Sequence, residues 1–129
     1  MATLTPTLTL SSTDALSDTL NFTVTDSLTV TSPNINLAKV TATTTGSASI
    51  ILPSLDARRY LYLKHTGVDS AGDVTANDIK VEEGDDNWFA RLAPGEWMFV
   101  PLNAEPNQLI QLETTGGTVV AEYGYWTKT

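Results

Sequence analysis

The stretch Thr3-Leu4-Thr5-Pro6-Thr7-Leu8-Thr9-Leu10 puts threonine at every odd position and leucine or proline at every even one. A period of two belongs to a β-strand, whose successive side chains leave on opposite faces. Threonine is branched at Cβ and suits a pleated surface better than a helix. The leucines therefore line one face of an extended segment. Pro6 has no N–H to give to a ladder, which places the segment at a sheet edge or in an extended arm.

The same alternation returns in Leu20-Asn21-Phe22-Thr23-Val24-Thr25 and in Leu28-Thr29-Val30-Thr31. These two runs echo one another weakly, over too few residues to make a repeat architecture. Between the first runs, Ser11 to Asp18 is compatible with one helical turn capped by Thr13 and equally with a loop. Pro33 and Asn34 mark a turn, and Lys39-Val40-Thr41-Ala42-Thr43 reads as a further strand.

Downstream come Ala48-Ser49-Ile50-Ile51-Leu52, then Tyr60-Leu61-Tyr62-Leu63-Lys64-His65, then the short Ile79-Lys80-Val81. Trp88 to Leu92 leads into Ala93-Pro94-Gly95-Glu96, with proline and glycine at the two centres of a type II turn. Trp97 to Leu102, Leu109 to Leu112 and Thr118 to Trp126 complete the set, and Gly116-Gly117 reads as a hairpin turn between the last two. Eight to ten short strands without an amphipathic helix predict an all-β fold, a single β-sandwich or jelly-roll-like domain. Residues 1–18 are expected as an extended Thr-rich arm and 19–129 as the sandwich.

Composition agrees with one domain. At 129 residues and 13.9 kDa, the folded surface should be about 6,700 Å² against about 20,000 Å² unfolded, so one core suffices without staples. There is no cysteine and His65 is the only histidine, which excludes disulfide scaffolds, thiolate zinc sites, cysteine nucleophiles and multi-histidine metal sites within one chain. A net charge of −8 repels phosphate backbones and anionic lipid, so neither nucleic acid nor a membrane surface is expected as a partner. The N-terminus lacks the basic and apolar regions of a secretory signal, and no apolar run approaches a membrane span. Charge is uneven. Residues 1–50 hold 14 of the 21 threonines and only four charges, Asp14, Asp18, Asp26 and Lys39, while every tryptophan and tyrosine lies beyond residue 55.

No pattern reads as a catalytic site. The acidic residues Asp69, Asp73, Asp78, Glu82, Glu83, Asp85 and Asp86 lack the spacing of a calcium loop, and solvated loop charge is the simpler reading. His65 has no Gly-x-Ser-x-Gly elbow to serve, and is better read as a strand-end histidine bonded to backbone. Gly116-Gly117 lacks the lysine and helix of a phosphate loop. No catalytic residue, metal or cofactor is therefore expected. Trp88, Trp97, Trp126 and the four tyrosines suit sugar stacking, core packing or a subunit interface. Tyr123 and Tyr125 share one face of the last strand with Val119 and Ala121, while Glu122 and Trp126 take the other. At least one such face must be covered. Arg58-Arg59 is a basic pair in an acidic chain, a solvated pair by default and a dock for an acidic partner otherwise.

The runs Tyr60-Leu61-Tyr62-Leu63-Lys64-His65-Thr66, Ile79-Lys80-Val81, Phe89-Ala90-Arg91-Leu92-Ala93-Pro94-Gly95-Glu96 and Ala121-Glu122-Tyr123-Gly124-Tyr125-Trp126 resemble small β-sandwich virion proteins of tailed bacteriophages. The resemblance spans residues 58 to 127 and leaves out the Thr-rich first half. It implies a capsid decoration, or cement, protein: a homotrimer on the capsid surface, made in the host cytoplasm, that bridges subunits of the major capsid protein. Similar sandwiches occur in tail and fibre proteins.

On this reading Leu4, Pro6, Leu8, Leu10, Arg58 and Arg59 contact the capsid or a neighbouring subunit. Trp97, Tyr123, Tyr125 and Trp126 form the oligomer interface. The alternative is a carbohydrate- or receptor-binding module of a fibre or tail, and a hydrolase ranks behind both.

Overall fold

The computed structural model describes residues 1–15, 17–84 and 87–129, with the side chains of 32–36 and 47 outside the description. In chain order the strands are β1 (Ala2–Leu4), β2 (Thr7–Ser12), β3 (Leu20–Thr25), β4 (Leu28–Ala42), β5 (Ile50–Leu52), β6 (Arg59–His65), β7 (Ile79–Glu83), β8 (Trp88–Leu92), β9 (Trp97–Leu102), β10 (Ile110–Thr114) and β11 (Val119–Lys128). One 3-10 turn, Gly46–Ala48, is the only helical element among the described residues.

A five-stranded sheet in the order β1-β4-β11-β6-β9 faces a four-stranded sheet in the order β5-β10-β7-β8, and β2 pairs with β3 in a sheet of their own. Every pairing between strands is antiparallel. The core is the seam between the two larger sheets. Ala42, Leu61, Leu63, Val119 and Ala121 from one meet Ile51, Leu52, Ile79, Val81, Ile110 and Leu112 from the other, each at most 2 % exposed. On β6 the alternation is plain: Leu61, Leu63 and His65 point inward, and Tyr60, Tyr62 and Lys64 outward. The expected β-sandwich is present.

Two local expectations fail. Pro33-Asn34 is not a turn, because β4 runs through it for 15 residues. Its ladder to β11 shifts register around Pro33 and Ile35, and such bulges let a strand pass a residue that cannot donate. Gly116-Gly117 is not a hairpin, because β10 and β11 lie in different sheets. The glycines carry the chain across the sandwich instead, with Thr114 Oγ1 donating to Gly117 O at 2.8 Å.

Within residues 1–18 the extended segment pairs in two places. Pro6 splits the alternating run, sending β1 to the edge of the five-stranded sheet beside β4 and β2 to a ladder with β3. The division after residue 18 falls in the loop of this hairpin. That stretch is a loop rather than a helical turn, where Ser12 Oγ accepts from the N–H groups of Asp14 and Ala15, and Leu16 lies outside the described residues.

The Ala93-Pro94-Gly95-Glu96 turn forms as read. Glu96 N donates to Ala93 O at 3.0 Å and Gly95 has φ of 86°, the positive value that the third position of a type II turn demands.

Candidate interaction surface

The β2–β3 hairpin is two-faced. On one face Thr7 and Thr25 share a hydroxyl–hydroxyl bond of 3.0 Å and Thr9 and Thr23 one of 3.1 Å. Leu8 opposite Val24 and Leu10 opposite Phe22 make the other face. That face is apolar and uncovered: Leu8 is 36 %, Leu10 45 %, Phe22 43 % and Val24 48 % exposed. Such a ribbon is marginal in water unless its apolar side is packed.

The near end of the hairpin stands over the outward face of β6 and β9. Pro6, Thr7, Leu8, Val24 and Asp26 from the hairpin side, and Tyr62, Trp97 and Phe99 from the sheet, line an open cleft of about 460 Å³. Asp26 N donates to Pro6 O at 3.1 Å and fixes the hairpin's base. Among the described lining residues Asp26 alone is charged, and its carboxylate accepts from Ser27 N at 2.7 Å.

Behind the cleft the outward face continues as a band of rings. Tyr60 stacks on Phe99, Lys128 Nζ sits 5.9 Å from the Tyr60 centroid, and Trp126 leans over Gly124 towards Leu37, which is 60 % exposed. Tyr62 donates its hydroxyl to Glu122 at 3.3 Å. Burial, and then the charge of Glu122 and this bond, push the Tyr62 phenol above its ordinary 10.0.

The opposite outer face has a different character. On the four-stranded sheet, Lys80 pairs with Glu113 at 2.8 Å, Gln111 donates to the buried Glu82 at 3.0 Å and Arg91 pairs with Asp78 at 2.6 Å. These polar pairs share the face with Trp88 and Ile50, 56 % and 41 % exposed opposite Glu82 and Gln111.

The candidate residues distribute as follows. Leu4 is half-buried on β1, while Pro6, Leu8 and Leu10 fall on the hairpin as described. Trp97 is 53 % exposed at the cleft, and Trp126 lies on the same outward face beyond β6. Tyr123 and Tyr125 are half-buried and pack against the core. Burial, and then Tyr125, push the Tyr123 phenol upward. Arg59 pairs with Asp56 at 2.8 Å and donates to Thr127 Oγ1. Exposed Arg58 joins it, Lys128 and Asn103 around a shallow cleft of about 250 Å³.

Phe22, Val24 and Phe99 were visible only as strand residues. The matching alternation of residues 7–10 and 20–25 was the signal that the two runs pair.

His65 is buried and takes both of its hydrogen bonds from backbone, Nε2–H donating to Asn77 O at 2.8 Å and Nδ1 accepting from Gly67 N at 2.9 Å. The acidic residues do not converge either: Asp69 Oδ1 accepts from Ala71 N and Asp73 N, Asp78 holds Arg91, and Asp85 and Asp86 lie outside the described residues. Among the described residues no group of three metal-ligating side chains forms.

Comparison with family models, curated proteins and solved structures finds no match to this chain.

Proposed function

We propose that the chain is a structural, non-enzymatic virion protein: a trimeric decoration protein that attaches to the surface of a tailed-phage capsid and bridges its major capsid subunits. One observation carries the reading. A self-sufficient sandwich holds out a hairpin whose apolar face is 36 to 48 % exposed, which suits a component that completes its packing in an assembly. A symmetric shell then multiplies modest contacts by avidity. The charge of −8 supports the reading by keeping free chains apart until they dock.

The test is co-sedimentation of the purified chain with undecorated phage shells from its host. Binding is expected, and deleting residues 1–12 should abolish it while leaving the sandwich folded, because the main core cluster lies between Ala42 and Ala121 and the buried Val30 also lies outside the deleted segment. Unchanged shell occupancy by the truncated chain, or no binding by the intact one, would overturn the proposal.

A further inference from the structure

We propose that the corner where β6 begins and β9 and β11 end is a docking site for a short acidic segment of a protein partner, anchored by Arg58 and Lys128. The chain has seven basic residues, and most have a carboxylate at hand. Arg59 pairs with Asp56, Lys80 with Glu113 and Arg91 with Asp78. Lys39 and Lys64 flank Glu122 as its partners in the ladders to β4 and β6. Among the described residues, Arg58 and Lys128 have neither an ion pair nor a carboxylate opposite them in a ladder. In a chain of net charge −8, these two cations without a counter-charge lie together. They line one shallow cleft with Arg59, Pro101, Leu102 and the exposed Asn103.

The fold holds the two anchors in place. Lys128 N donates to Arg58 O at 2.9 Å. Lys128 Nζ lies 5.9 Å from the Tyr60 centroid, and a ring face steadies an ammonium without cancelling its charge. Arg59 spends its guanidinium on Asp56 and Thr127, so the fork that meets a ligand is that of Arg58. A guanidinium gives a carboxylate two parallel N–H bonds, and a lysine adds a point charge beside them. The neighbouring cleft shares Pro101, Leu102 and Asn103 but carries Glu83 and Glu105. A long polyanion laid along this corner would run from cations into carboxylates, and the net charge would repel the rest of it. A few acidic side chains on a protein segment fit the cationic end alone. The site rests on these charges and not on the shell reading.

NMR titration of the nitrogen-labelled chain with a capped triglutamate peptide tests the site. Amide shifts confined to Arg58, Arg59, Asn103, Lys128 and their chain neighbours are expected, saturating at millimolar peptide and fading as salt is raised. Reversing both anchors, Arg58→Glu with Lys128→Glu, should weaken binding at least about tenfold. Both positions are exposed, and unshifted core amides check that the fold survives. Lys64→Glu, which reverses an exposed cation beside Glu122, should leave binding unchanged.

No binding, shifts spread over the whole surface, or binding that survives the double reversal would each overturn the proposal. So would displacement of the peptide by inorganic phosphate at equal concentration, the mark of a small-anion site. A heparin fragment that binds this corner more tightly than the peptide would overturn it in favour of a polyanion. A chain that binds the peptide but ignores shells keeps this site and loses the decoration reading; one that binds shells but not the peptide does the reverse.

Discussion

Tyr60 lies flat against Phe99 on the outward face of the five-stranded sheet, ring centroids 5.9 Å apart and planes 8° from parallel. Outward-facing tyrosines are usually wet, yet Tyr60 is only 5 % exposed. Phe99 supplies part of the cover while its neighbour Trp97 stands half in solvent. Replacing Phe99 with Ala should therefore uncover Tyr60 and cost about 2 kcal/mol, the ring pair adding about 1 kcal/mol to the lost apolar burial. Phe99→Leu should lose less. Urea unfolding of both variants checks the order, and a Phe99→Leu chain as stable as the parent would show that ring stacking contributes nothing.

His65 stabilises the loop that follows its own strand. Its two ring nitrogens join Asn77 O and Gly67 N, so His65→Ala strands a part-buried carbonyl and a part-buried N–H and leaves a cavity where the buried ring stood. The expected loss is about 3 kcal/mol. Nitrogen-detected NMR of the imidazole should find the Nε2–H tautomer. A ring with its proton on Nδ1 would contradict the assignment.

These two neighbourhoods show what the sequence made legible. Alternation in Tyr60 to His65 gave the strand and which side chains face inward, because the period of two is enforced residue by residue. The Pro94-Gly95 turn was legible because one residue type answers one backbone conformation. Which sheet a strand joins was not, and Gly116-Gly117 shows why: the same two glycines close a hairpin or cross a sandwich, and only non-local packing decides. The 7–12 and 20–25 runs were each readable as strands, but the cleft they create with Phe99 and Tyr62 brings together residues far apart in the chain, such as Leu8 and Phe99. Tyr123 is open to two readings for a related reason: a tyrosine's amphipathic ring suits both a core margin and a contact surface.

Two glycines separate backbone strain from steric exclusion. At Gly95, φ is 86° and an added Cβ would meet nothing within 4 Å, so Gly95→Ala pays only for a left-handed backbone, about 1 to 2 kcal/mol. At Gly46 an added Cβ would stand 2.6 Å from Gln111 Nε2 and 2.8 Å from Glu82 Oε2. Gly46→Ala must break or displace the buried Gln111–Glu82 bond, and should destabilise by more than Gly95→Ala. Thermal denaturation of the pair checks this, with the reverse order as the contrary result.

Alkaline pH should weaken the fold through three groups that shift in one direction. Tyr62 and Tyr123 are raised above 10.0, mainly by burial. Lys80 is raised above 10.5, mainly by its bond to Glu113. A group whose folded pKa lies above its unfolded one contributes stability in full below the unfolded value, and loses it as pH climbs through the folded value. In each case the unfolded chain gives up its proton first. Stability should thus be flat with respect to these groups below about pH 9 and fall from about pH 10 upward. Tyr62→Phe and Tyr123→Phe each remove one titrating group and should make that fall shallower, as urea midpoints at stepped pH would register. A Tyr62→Phe chain with an undiminished alkaline slope would mean that Glu122 and burial do not hold the phenol protonated.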